Sequence, residues 1–176
     1  KVGLARGSVQ QLLSASVDRS AGFMVERGYA TAGVSSRTSF GAGGGLLVSY
    51  LWKDFGANGF YGNAPSHEWT NQTLVSADRN LGTWGGWRLG SVASYRTHGD
   101  HFLFDVRRPG VAENRHRTHA VLGGVRASHA VGVGGSLTTG VEEGADWIRS
   151  TNLGDHDSQR VSAFGEWRHA AAANVQ

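Results

Sequence analysis

The chain has 176 residues, including 27 glycines, two prolines, no cysteine and a formal charge of +3. A disulfide framework and a cysteine-based zinc site are therefore excluded. The fifteen arginines and two lysines are spread along the chain, with Arg107-Arg108 the one adjacent pair, so no basic patch supports a nucleic-acid partner despite a pI near 9.7. Thirteen leucines, seventeen valines, seven phenylalanines and one isoleucine are few for a soluble domain that must bury a core. Six tryptophans and abundant glycine point instead to β-structure with many turns. The longest strongly apolar run is Leu46-Leu47-Val48, far short of a membrane helix. Lys1–Arg6 has no apolar stretch of a signal peptide, so an exported form is expected to begin after its signal.

Alternation of period two marks eight expected strands. In chain order these are Val9–Asp18, Ala30–Arg37, Gly44–Lys53, Trp69–Arg79, Trp87–Arg96, Thr118–Ser128, Ser136–Ile148 and Val161–His169. Within them Trp52, Trp87, Tyr95 and Trp167 fall on one face, and Arg88, Arg96, Glu166 and Arg168 on the other. The connections alternate in length. Arg19–Tyr29, Asp54–His67, Thr97–Arg117 and Arg149–Gln159 are long, while Thr38–Gly43, Asn80–Trp84 and His129–Gly135 are short. An up-and-down antiparallel sheet would gather the long loops at one end, as outer-membrane barrels do. About eleven residues per strand, tilted near 40°, reach roughly 28 Å and would span the apolar layer of a membrane. Aromatics fall near both strand ends: Trp52, Phe55, Phe60, Tyr61, Trp69, Tyr95 and Trp147 on the long-loop side, and Trp84, Trp87 and Trp167 on the short-turn side. Two belts of amphipathic rings suit two membrane interfaces.

Three segments carry a family resemblance. Asp54-Phe-Gly-Ala-Asn-Gly-Phe-Tyr-Gly62, Ser94–Phe104 with the stretch to Asn114, and Gly140–His156 followed by Phe164-Gly-Glu166 resemble, in order, early barrel strands and loops of TonB-dependent outer-membrane receptors. The resemblance covers nearly the whole chain. It implies that residues 1–176 are part of a barrel of about 22 strands closed around an N-terminal plug, the family's arrangement. Such a receptor takes up a scarce, bulky nutrient, a ferric siderophore or a cobalamin, when the TonB complex pulls on an N-terminal segment. The plug, the TonB-contacting segment and the aromatic-terminated last strand are not found between Lys1 and Gln176. The expectation is therefore a fragment of eight strands whose ends both lie on the short-turn side. Its expected partners are the lipid bilayer, lipopolysaccharide, the plug and the remaining strands, and its place is the bacterial outer membrane.

No constellation for catalysis is visible. Glu142-Glu143 are neighbours on a strand and point to opposite faces. The glycine run at 41–45 lacks the Lys-Ser/Thr of a phosphate loop. Neither an enzyme nor a resident cofactor is expected. Candidate ligand contacts in the long loops are Phe60, Tyr61, Trp69, Arg96, His98, His101, Arg107, Arg108, Arg115 and His116, with guanidinium groups suited to oxyanions. His98, His101, His116 and His119 flank the longest connection and are weak metal candidates, with solvated loop polarity the simpler account. Two other readings share the strand pattern: a small eight-stranded barrel acting as an adhesin, structural protein or narrow pore, and a soluble carbohydrate-binding β-sandwich.

Overall fold

The computed structural model describes residues 1–41 and 43–169. These form one antiparallel sheet whose strands lie in chain order: β1 Val2–Arg6, β2 Val9–Ser20, β3 Tyr29–Phe40, β4 Gly44–Gly56, β5 His67–Trp84, β6 Trp87–Leu103, β7 Glu113–Val131, β8 Gly135–Ser150 and β9 Gly154–His169. There is no helix among them. Each strand pairs only with its neighbours in sequence, so β1 and β9 are the two edges and the sheet is open.

The expected count of eight is corrected to nine. Strand β1 escaped notice because five residues containing Gly3 show too little alternation. An odd count also removes the argument that both ends of the sheet lie on the short-turn side. The connections 21–28, 57–66, 104–112 and 151–153 stand at one end, and 7–8, 41–43, 85–86 and 132–134 at the other. The meander thus places the three segments Asp54–His67, Thr97–Arg117 and Arg149–Gln159 together, as their lengths suggested. All three are shorter as loops than expected, the last two most of all. Strands β6 and β7 stay paired as far as Leu103 and Glu113, and β8 and β9 as far as Ser150 and Gly154. At the other end, Gly85 and Gly86 have φ of 55° and 81°, the doubly positive pair that a tight two-residue hairpin requires. A bulge between Asn80 and Gly82 shifts the register just before that turn.

Residues directly opposite across a ladder share a face, so the register sorts every side chain. One row runs Val48, Val75, Tyr95, Val121 and Ala145; the next runs Leu46, Ala77, Ala93, Gly123, Glu143 and Val161. Val17, Val34, Tyr50, Trp52, Trp87, Val125, Val141 and Trp167 belong to the same face. The other face carries Ser35, Arg37, Ser49, Ser76, Asp78, Arg88, Ser94, Arg96, Arg126, Glu142, Glu166 and Arg168. The expected division of the four aromatics from the four charged residues therefore holds. Phe55, expected in the belt, sits on the polar face with Glu68 opposite.

The apolar face is uncovered: Val161 is 77 % exposed, Trp167 70 % and Val34 57 %. Among the described residues no second layer packs on either side, and Glu143 is the one acidic or basic side chain in the two rows just described. The residues other than glycine that are buried, among those described, are Ala57, Ala64, Ser66 and Asp105, all in loops 57–66 and 104–112. The chain thus builds its tightest packing at the tip of the long-loop end, where each loop can bury its own backbone against another.

Candidate functional site

Three loops interlock at that end. The Gly56 amide donates to the Gly28 carbonyl (2.8 Å), Ala57 N–H to Ser66 (2.8 Å), and Val106 N–H to Pro65 (3.0 Å). The Ser66 hydroxyl donates to the Phe104 carbonyl at 2.8 Å. The Asn58 side-chain amide donates to the Val25 carbonyl at 2.9 Å. Apart from the Ala57–Ser66 bond inside loop 57–66, each link satisfies a backbone group from another segment, which is how irregular chain can pack without stranding donors. The result is a preformed surface.

Phe60 and Tyr61 stand on it. The Arg27 guanidinium lies 4.0 Å from the Phe60 ring centre, a cation–π contact. The Tyr61 hydroxyl donates to Glu68 (3.1 Å) while its ring meets Phe102 edge-on at 4.8 Å. Burial, and then the Glu68 carboxylate, push the Tyr61 hydroxyl above its ordinary pKa. Beside them a cavity of about 550 Å³ is lined by Phe23, Met24, Arg27, Phe55 and Phe60 among others. Phe23 is fully exposed, and Met24 and Val25 are 63 % and 79 % exposed. The loop thus holds three consecutive apolar side chains out from the sheet. Sequence reasoning passed over Phe23-Met24-Val25 and Arg27, although three consecutive apolar residues inside a polar loop were a legible signal.

The remaining candidates are dispersed. Six of the ten lie on strands: Trp69 and Arg96 belong to strands already expected, and His98, His101, Arg115 and His116 join them because the ladders extend beyond the alternating apolar band. Arg96, His98 and His116 occupy the polar face, and Trp69, His101 and Arg115 the apolar face. The His116 ring bonds the Ser150 hydroxyl at 2.7 Å. His101 and Arg115 share the Glu113 carboxylate at 2.8 and 2.7 Å. The Trp69 indole N–H donates to Asp54 at 2.9 Å, and its ring stacks on His101 at 4.9 Å. His119, also on the apolar face, bonds the Tyr95 hydroxyl at 2.6 Å and stacks on Trp147 at 5.2 Å. Three-residue spacing on a strand sends His98 and His101, and likewise His116 and His119, to opposite faces. Among the described residues no three His, Asp or Glu side chains gather as metal ligands.

Arg107 and Arg108 are already engaged. Asp105, 3 % exposed, accepts from the Arg107 backbone N–H (3.0 Å), from both arms of the Arg107 guanidinium (2.9 and 3.0 Å) and from Arg108 Nε (3.1 Å). The expected oxyanion is thus supplied from within the loop. These bonds, those of Arg107 foremost, hold the Asp105 carboxyl well below the usual carboxylate range. A depressed folded value means the lock is fully present above the ordinary carboxyl pKa of 3.8 and weakens only as pH falls below it. Trypsin is therefore expected to leave the loop uncut down to mildly acidic pH. Asp105→Asn removes the charge and should expose the bond after Arg107 at neutral pH, with cleavage faster by about tenfold or more. Equal cleavage of the two proteins would remove Asp105 from this role. Arg108 is followed by Pro109 and offers no competing cut.

Compared with known proteins, the chain matches no family model, no curated protein and no solved structure.

Proposed function

We propose that this chain is a stretch of barrel wall from an outer-membrane receptor of the TonB-dependent kind, which takes up a bulky nutrient such as a ferric siderophore or a cobalamin. The observation that carries the membrane part is the unpartnered apolar face, opposed across a single-layer sheet by a face of Ser, Arg, Asp and Glu. A soluble sheet in water would hide its apolar face under a second layer. A lipid-facing sheet needs none, and its polar face then meets a wet interior. Two unpaired edges, β1 and β9, support a wall that continues into further strands, because a bilayer leaves no edge group unsatisfied. The small eight-stranded barrel, by contrast, needs its first and last strands to pair. The receptor part rests on the resemblance of the segments beginning at Asp54, Ser94 and Gly140, and on the preformed loop surface carrying Phe23, Phe60 and Tyr61. No catalytic step is assigned.

The test uses the complete protein that contains this chain. It should sediment with outer membranes, require detergent for extraction, and migrate faster on gels before heating than after. Cells bearing it should accumulate labelled ferric siderophore or cobalamin, and should stop when the proton gradient is collapsed. Extraction by salt alone would end the membrane reading; normal extraction, with neither ligand taken up nor bound, would end the receptor reading only.

A further inference from the structure

At the long-loop rim of the apolar face the ladders place like charges against each other. Arg117 lies directly opposite Arg149, and Arg115 follows one step nearer the loops. Like charges facing across a strand pair are unfavourable unless something answers them. Neither Arg117 nor Arg149 makes an ion pair among the described residues. Asp155, opposite Arg149 in the ladder, is the nearest acid to that pair in register, and Glu113 is taken by Arg115 and His101.

The surroundings keep the cations ready. On Arg117's other side the ladder partner is Gly99, which is buried, and a side chain there would run into the Arg117 guanidinium at 3.3 Å and the Asn71 amide at 3.0 Å. Gly99 therefore leaves a bare strip across which Arg117 lies toward Asn71. The three arginines, Asn71 and Trp69 line one groove of about 490 Å³, whose lining also includes the carboxylates of Asp100 and Asp155, so cations outnumber acids there. One row below, toward the apolar band, runs the Tyr95–His119–Trp147 stack. Apolar band, aromatic belt and arginine groove thus follow one another along the same face.

We propose that Arg117 and Arg149, with Arg115, form a docking site for the phosphate of a lipid headgroup on the outside of the sheet. This rests on the membrane reading above, under which the groove stands at headgroup depth and opens sideways into the bilayer. Guanidinium groups pair with phosphate through two parallel hydrogen bonds, and each cation near an anionic lipid surface adds to the attraction. The amphipathic stack beneath would support the upper acyl chain while the arginines hold the phosphate.

The test is native mass spectrometry of the complete detergent-solubilised protein titrated with diphosphorylated lipid A, with the same lipid stripped of phosphate, and with inorganic phosphate. Lipid A should bind, and Arg117→Ser/Arg149→Ser should weaken that binding by about tenfold or more. Arg126→Gln, which removes an arginine from the opposite face, should leave it intact. Equal binding of the dephosphorylated lipid, or equal binding by the double variant, overturns the site while leaving the membrane reading in place. Inorganic phosphate binding as tightly as lipid A would also overturn it, by making this a free-anion site. A protein soluble without detergent would instead remove the premise.

Discussion

Val75→Arg is expected to abolish membrane folding of the protein that contains this chain, while Ser76→Arg leaves it nearly unchanged. The two positions are adjacent, and every difference between them comes from the pleat. Val75 lies between Val48 and Tyr95 in the middle of the apolar face. Ser76 lies between Leu47 and Ser94 on the polar face, where Arg88, Arg96 and Arg126 already stand. An arginine at the lipid midplane costs about 2–4 kcal/mol, and the same residue facing a wet interior costs little. That difference shifts the folded-to-unfolded ratio by roughly thirty- to a thousand-fold. Heat-modifiable gel mobility after refolding into vesicles reads it directly. Equal refolding of the two variants would mean that lipid does not cover the Val75 face. A reversal, with Ser76→Arg the damaging change, would mean that the polar face is the covered one.

The register was legible because the middle of each strand obeys period two under a strong contrast of side chains. Val75 beside Ser76, and Trp87 beside Arg88, leave one consistent assignment of faces. Toward the loops the contrast fades. His98, Asp100, His101 and Arg115 are polar on both faces, so alternation no longer marks a strand, although the backbone ladder continues to Leu103 and Glu113. For that reason His98, His101, His116 and His119 were read as flanking one loop and able to converge, when the pleat divides them between two sides of a sheet. The pairing of Arg107 and Arg108 was missed for a different reason. A guanidinium pair in a loop looks free for a ligand until its partner is located, and Asp105, only two residues away, is a partner that spacing alone does not reveal. The packing among loops 21–28, 57–66 and 104–112 was hidden altogether, since it depends on contacts between residues far apart in sequence, 33 for Asn58 with Val25 and 38 for Ser66 with Phe104.

That packing hinges on one position. Gly56 ends β4, is buried, and would place any Cβ against the Glu26 carbonyl and 2.9 Å from the Arg27 amide. Glu26 is held there in a left-handed conformation, φ 55°, its carbonyl accepting from the Asn58 amide at 3.2 Å. A non-glycine residue in that region is itself costly, so the turn at 26 has little freedom to retreat. Gly56→Val is therefore expected to push loop 21–28 off loop 57–66. The Gly56–Gly28 and Asn58–Glu26 hydrogen bonds should break, and the Arg27 guanidinium should leave the Phe60 ring. Overpacking of this kind costs about 1–3 kcal/mol, or more where backbone must move. Because the sheet below is held by its own ladders, the damage should stop at the loops. Hydrogen exchange should show the amides of Gly56 and Asn58 losing protection by about tenfold or more, with those of β5 to β8 unchanged. Gly165→Val is the matched control, since a side chain there meets nothing within 4 Å. If the Gly56 variant still protects both amides, the three loops do not form one unit, and Phe23 and Phe60 cannot be treated as parts of a single preformed surface.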